Sequence, residues 1–180
     1  MIDAHGLSPT LPKIIIDDGL LLRRITPDDA EDMFKIIQAD SGIGRNVTWA
    51  GLVHSLDDAH KGIEQLLKEF KSPYVLQENG VTIGFAGTWG YPGKDHEVGF
   101  SYFLAKEKRG HGYVTRTVRK LMEAVRNDNP SVDTFIVNIT DSNKASQAVA
   151  EKLGFKATDK LMKDRVLTEP TRRYERPAHE

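Results

Sequence analysis

Between His96 and Asn127 the hydrophobic pattern changes its period, and it does so across two glycines. HEVGFSYFL is an aromatic, strand-like run. Val114, Val118, Leu121 and Val125 then recur at helical spacing, as the buried stripe of a helix to about Asn127. The join is KRGHGYVTR, which holds Gly110, Gly112, Lys108, Arg109, Arg116 and His111. A strand that hands over to a helix in this way, and is followed by the apolar strand Thr134 to Ile139, calls for a sheet with helices packed on it.

The flanking segments agree. Ile14 to Ile16 and Leu20 to Ile25 read as strands around Asp17-Asp18-Gly19. Thr26 is the N-cap and Pro27 the first residue of a helix whose Ala30, Met33, Phe34 and Ile37 face inward. SGIGRNVTWAG is irregular, and Ser55 caps a second helix with Ala59, Ile63, Leu66 and Phe70 on one face. Tyr74 to Gln77 and Val81 to Trp89 form a hairpin on Glu78-Asn79-Gly80. A Gly-Tyr-Pro-Gly turn at 90–93 leads into the strand His96 to Leu104. Ser142 or Asp141 caps a short helix that stops at Gly154, and strands follow at about 156–162 and 171–175. The sum is one α/β domain, 14–176, with a mixed sheet, after a loose arm (1–13) and before a short tail (177–180).

Bulk composition narrows the function. At 180 residues, with 39% hydrophobic and 28% charged residues, the chain suits one globular domain. A net charge of −1 makes any basic site local, and no aromatic-basic stripe points to nucleic acid. The absence of cysteine removes disulfides, thiolate metal sites and a cysteine nucleophile. Neither a signal pattern nor a membrane-length apolar run is present, so the expected location is the cytoplasm, with no membrane partner.

Three stretches carry chemistry. RGHGYV opens a helix, where unpaired N–H groups and the helix dipole favour an anion, and glycine lets backbone approach a phosphate closely. It lacks the Lys-Ser/Thr of a P-loop and the third glycine of a dinucleotide fingerprint. DSNKASQAVAEKLGF reads locally as a capped helix with a glycine stop, leaving Asn143 and Ser146 at its first turn. In HEVGFSYFL, Glu97 is either an edge charge or a cleft residue, and burial in a cleft would raise its pKa toward that of a general base.

In order and spacing these stretches resemble the Gcn5-related N-acetyltransferase superfamily, in its branch of ribosomal-protein N-terminal acetyltransferases. The match runs through IGFAGTWGY, HEVGFSYFL, Arg109-Gly110-His111-Gly112-Tyr113-Val114 as Q/R-x-x-G-x-G/A, and N-x-x-S-x-x-V-A-E-K-L-G-F from Asn143. Relatives commonly carry Thr-Glu-Ala after the glycine turn, where this chain has Thr115-Arg116-Thr117. The resemblance implies a single domain with a mostly antiparallel sheet flanked by about four helices. It places acetyl-CoA, a co-substrate needing no metal, in the cleft between the fourth and fifth strands. Its pyrophosphate would lie on backbone N–H groups from Arg109 to Val114, and its pantetheine along Tyr102, Phe103 and Leu104, with Asn143 and Ser146 also in the cofactor site.

The same resemblance implies direct acetyl transfer to a primary amine, a protein N-terminus or a small molecule. It assigns Glu97 as base and Ser146 as acid, with donors near Phe103 polarising the carbonyl. Tyr113 and Tyr174 are reserve acids, and His96 and His111 are read as exposed. Acceptor choice is assigned to SGIGRNVTWAGLVHS and the C-terminal strands, with Trp89 read as core. The alternative is an acyl-CoA sensor without turnover, and a homodimer is left open.

Overall fold

The computed structural model describes residues 11–70, 72–90, 94 and 96–180. The first ten residues of the expected arm, and positions 91–93 of the expected turn, lie outside the described residues.

Eight strands form one sheet in the order β1-β2-β3-β4-β5-β6-β8-β7. β1 (Lys13–Asp17) and β2 (Leu20–Arg24) make a hairpin, and β2 pairs with β3 (Ser72–Glu78). β3 and β4 (Val81–Trp89) join through Asn79 and Gly80, whose φ values of 49° and 81° suit a tight left-handed hairpin turn. β5 (Glu97–Leu104) pairs with β4, and β6 (Thr134–Thr140) is followed by β7 (Lys156–Met162) and β8 (Thr171–Pro177). All neighbours are antiparallel except β5 and β6, which are parallel.

Helices cover both faces. α1 (Ala30–Ala39), α2 (Ser41–Asn46) and α3 (Leu56–Glu69) bury Met33, Ile37, Ile43, Ile63 and Leu66 with Val75, Phe85 and Phe103. α4 (Tyr113–Asp128) and α5 (Lys144–Lys152) bury Val118, Leu121, Met122 and Ala150 with Leu76, Phe100 and Leu104. β5 shows the period of two directly: Val98, Phe100 and Leu104 pack on the second layer, Phe103 on the first.

Among the described residues the α-helices number five, because SGIGRN forms a turn and a half, α2. Its two glycines hide the helix in the sequence. The Asp40 carboxylate compensates as N-cap, accepting from the Gly42 amide at 2.8 Å. α5 is capped not by Asp141 or Ser142 but by Asn143, whose Oδ1 accepts from the Ser146 amide at 3.1 Å. Asp141 is drawn off to Arg172, 3.1 Å away. Among the described residues no helix is long and apolar enough to cross a membrane.

Candidate active site

The sheet opens where its one parallel pair gives way. β5 and β6 are in register only at Glu97↔Thr134, Val98↔Phe135 and Gly99↔Ile136. Beyond Gly99 the strands part, so the β6-facing backbone of Ser101 to Leu104 is left without a ladder partner there. This opening follows the fifth strand in chain order, or the fourth counted from Leu20. Within it lies a cleft of about 390 Å³, lined by Tyr102, Phe103, Leu104, Arg109, Gly110, Gly112, Tyr113, Val114, Asn143 and Ser146. Tyr102 and Ser146 both line it, near enough for the Ser146 hydroxyl to act on the Tyr102 phenol. Burial pushes the Tyr102 phenol up to about 12, so it stays protonated at neutral pH.

His111 is the one expected cofactor residue that does not line the cleft. It is exposed and stacks on Tyr113, ring centres 5.6 Å apart. Gly110 and Gly112 adopt φ of 83° and 72°, with no protein atom within 4 Å of where a Cβ would stand. The left-handed backbone, not crowding, demands glycine at both. Gly112 is the N-cap of α4 and supplies no side chain to its first amides, leaving an anion site there.

The loop cations are already matched by carboxylates. Lys108 Nζ sits 2.6 Å from Glu78, which also accepts from the Tyr113 hydroxyl. Arg109 lies 2.5 Å from Asp40 and donates to the Leu104 carbonyl at 3.1 Å. Arg116 pairs with Asp17 at 2.9 Å and lies over the Tyr113 ring, 5.1 Å from its centre. Each cation therefore braces the loop against another element. Tyr113, a reserve acid by sequence, lines the cleft with its hydroxyl committed to Glu78. Tyr174 is buried in the core.

Glu97 departs from its expected place. It starts β5, at the closed end of the parallel pair, and lines neither cavity of the site. Its two oxygens face the Arg173 guanidinium at 3.1 Å each, and Lys94 stands 3.5 Å away. Burial by itself would raise its pKa, but the hydrogen bonds and charge of Arg173, with help from Lys94, outweigh burial and hold it below the usual carboxylate range. Arg173 is only 5% exposed and also contacts Glu175 at 2.5 Å. The strand-start carboxylate is thus the counter-ion of a buried arginine. His96, next to it, is exposed.

A second cavity, about 820 Å³, adjoins the first. Its walls are α2 and the turn after it (Asn46 to Trp49, Leu52), one face of α3, the end of β4, the middle of β5, and the end of β7 with the connection after it (Met162, Asp164, Leu167). The two cavities share Asn46, Val47, Phe100, Ser101 and Asn138. Asn46 is held by Thr140, whose hydroxyl donates to its Oδ1 at 2.6 Å, and itself donates to the Gly42 carbonyl at 2.8 Å. Trp89 is half-buried on this cavity rather than sealed in the core. Its ring lies against Gly99, where a Cβ would collide with it. Trp49 both packs, edge-on to Phe85 at 5.3 Å, and lines the cavity.

Asn46, Ser101 and Asn138 had not been singled out in the sequence. A polar Asn inside the apolar run TFIVNIT was the available signal. No group of three or more His, Asp or Glu able to hold a metal ion occurs among the described residues.

Residues 19–156 match the family model for the acetyltransferase (GNAT) domain. No curated protein matches this chain in sequence. Several solved structures share the fold. RimL, a ribosomal L7/L12 alpha-N-protein acetyltransferase in complex with coenzyme A, superposes with a TM-score of 0.78 at 16% identity, over 92% of this chain and 97% of that one. The microcin C7 self-immunity acetyltransferase MccE, in complex with acetyl-CoA and AMP, gives 0.78 at 19% identity, over 94% and 98%. AAC(6')-Ib, in complex with ribostamycin and coenzyme A, gives 0.74 at 23% identity, over 89% and 94%.

Proposed function

The chain belongs to the acetyltransferase (GNAT) domain family, and on that premise we propose that it transfers acetyl from acetyl-CoA to a primary amine in a ternary complex. The observation that carries this is the junction of two cavities at Phe100, Ser101 and Asn138, where the sheet has parted. One cavity ends in a glycine turn and an uncapped helix start, suited to a pyrophosphate. The other is separate enough to hold an acceptor. RimL, bound to coenzyme A, supports the cofactor half, and MccE with acetyl-CoA and AMP and AAC(6')-Ib with coenzyme A and ribostamycin support the division.

In the proposed chemistry the amine nitrogen attacks the thioester carbonyl carbon, the C–S bond breaks, and coenzyme A leaves as thiolate. Freed backbone of Ser101 to Leu104 faces the thioester and pantetheine, and donors there stabilise the developing oxyanion. Tyr102 and Ser146 stand where the sulfur would leave. A phenol at about 12 does not fully protonate a thiolate whose own pKa is near 8.5; it stabilises the leaving sulfur as a hydrogen-bond donor. The proton lost by the amine goes to water in the acceptor cavity, because Glu97 is committed to Arg173.

The test is coenzyme A release with acetyl-CoA and a panel of primary amines, beside calorimetric binding of acetyl-CoA. Transfer that is reduced in Ser146→Ala and keeps its pH profile in Glu97→Gln is the expected result. Tight acetyl-CoA binding with no transfer to any amine would make the chain an acyl-CoA sensor instead.

A further inference from the structure

The acceptor cavity carries a charge that acetyl transfer alone does not require. Asp58, Glu69 and Asp164 line it, and none forms a salt bridge with a lysine or arginine among the described residues, although the charge of Lys61 acts on Asp58. Asp58 accepts from Ser55, Glu69 from Gln65, and Asp164 from Thr48 and the amides of Val166 and Leu167. The lone cation among the described lining residues, Lys61, is paired with Asp57 at 2.5 Å. The cofactor loop is the reverse case, with Lys108, Arg109 and Arg116 each neutralised. With three carboxylates and one lysine among its described lining residues, that lysine already paired with Asp57, the cavity attracts cations and repels anions.

Two more observations concern shape and chemistry. Asp58 and Glu69 stand eleven residues apart on one face of α3, about 16 Å along the helix, so they bracket the length of the cavity. Between these charges and the junction the wall is aromatic: Trp49, Phe70, Trp89 and Phe100. A cation gains from both the rings and the carboxylates, whereas an aromatic or apolar body gains from the rings an area of contact that a sugar-like or extended polycation lacks.

Building on acetyl transfer at the junction, we infer that the acceptor is a small amine with an aromatic or apolar body and a second cationic group. The reacting amine points to Ser101 and Asn138, the body packs on Trp49 and Trp89, and the second cation faces the α3 carboxylates. The charge of the second group sets selectivity, since every primary amine offers the same nucleophile.

The probes are 1,4-bis(aminomethyl)benzene, benzylamine, spermidine and a peptide with a free N-terminal serine and no other cation. Each is compared by kcat/KM with acetyl-CoA, and by equilibrium binding to the protein saturated with coenzyme A. The aromatic diamine should exceed benzylamine by about tenfold or more at low salt in both readouts. Salt at 1 M, where the screening length is about 3 Å, should shrink that margin. Asp58→Asn/Glu69→Gln should cut it below about threefold while acetyl-CoA affinity stays unchanged. Spermidine should trail the aromatic diamine. Equal use of benzylamine, or a preference for spermidine or the peptide, overturns the inference and leaves acetyl transfer standing. Selective binding of the diamine without acetylation of any amine upholds the selectivity and overturns acetyl transfer.

Discussion

The two ends of β5 share one strand and one sequence motif, yet they have opposite chemistry. At the first end Glu97 to Gly99 are zipped to β6, and the carboxylate is locked against a buried guanidinium. At the other end the pairing has stopped, and Ser101 to Leu104 face open space with Tyr102 and Ser146 beside them. A satisfied polar group stabilises the fold and has little left to offer a substrate. An unsatisfied one destabilises the empty site and is available for binding.

Substitutions can break or sharpen this contrast, and the largest effect should come at the closed end. Glu97→Ala leaves Arg173 buried with Glu175 as its remaining close acid, and should cost about 3 kcal/mol, or roughly 6–12 °C in Tm by thermal denaturation. Loss of transfer without loss of stability would place Glu97 in catalysis after all. The pairing also has a pH signature. Glu97 is held below its ordinary 4.5, so its contribution is complete above that value and is lost as pH falls through the lowered one. Urea titrations at several pH values should show a shallower acid limb in Glu97→Gln.

At the open end, Gly112→Val forces a β-branched residue into φ of 72°. Strain of about 1–3 kcal/mol should weaken acetyl-CoA binding by roughly 5- to 150-fold, measured by calorimetry. Ser146→Ala and Tyr102→Phe should each lower kcat by about tenfold, and the double variant should lose less than the product, since the two hydroxyls lie near each other in one cleft. Full additivity would show that they act apart. The smallest effect belongs to Arg116→Ala. With its charge already spent on Asp17 and the Tyr113 ring, it should change acetyl-CoA affinity by less than about threefold. An effect larger than that of Gly112→Val would mean that side-chain charge, not backbone, holds the pyrophosphate.

Much of this was legible in the chain. The buried stripes of α1, α3 and α4 and the Asn79-Gly80 hairpin are local features, and local physics fixes them. Asn143 and Ser146 are legible as a motif at the first turn of α5, but not the cap itself, which falls to Asn143 because Asp141 is held by Arg172. α2 was not, since a six-residue helix with two glycines owes its existence to its Asp40 cap and to Ile43 in the core. The place of Trp89 is not legible in the sequence, because the space for its ring is provided by Gly99 on the neighbouring strand.

By itself the sequence determined the order of strands and helices, the glycine turn and the residues that flank it. These depend on periodicity, caps and backbone freedom over a few residues. Tertiary structure alone decided what each charge does. Arg173 reaches Glu97 across 76 positions, and Glu78 reaches Lys108 across 30. A carboxylate is a base or a brace according to what stands within hydrogen-bond reach, and the folded chain sets that distance.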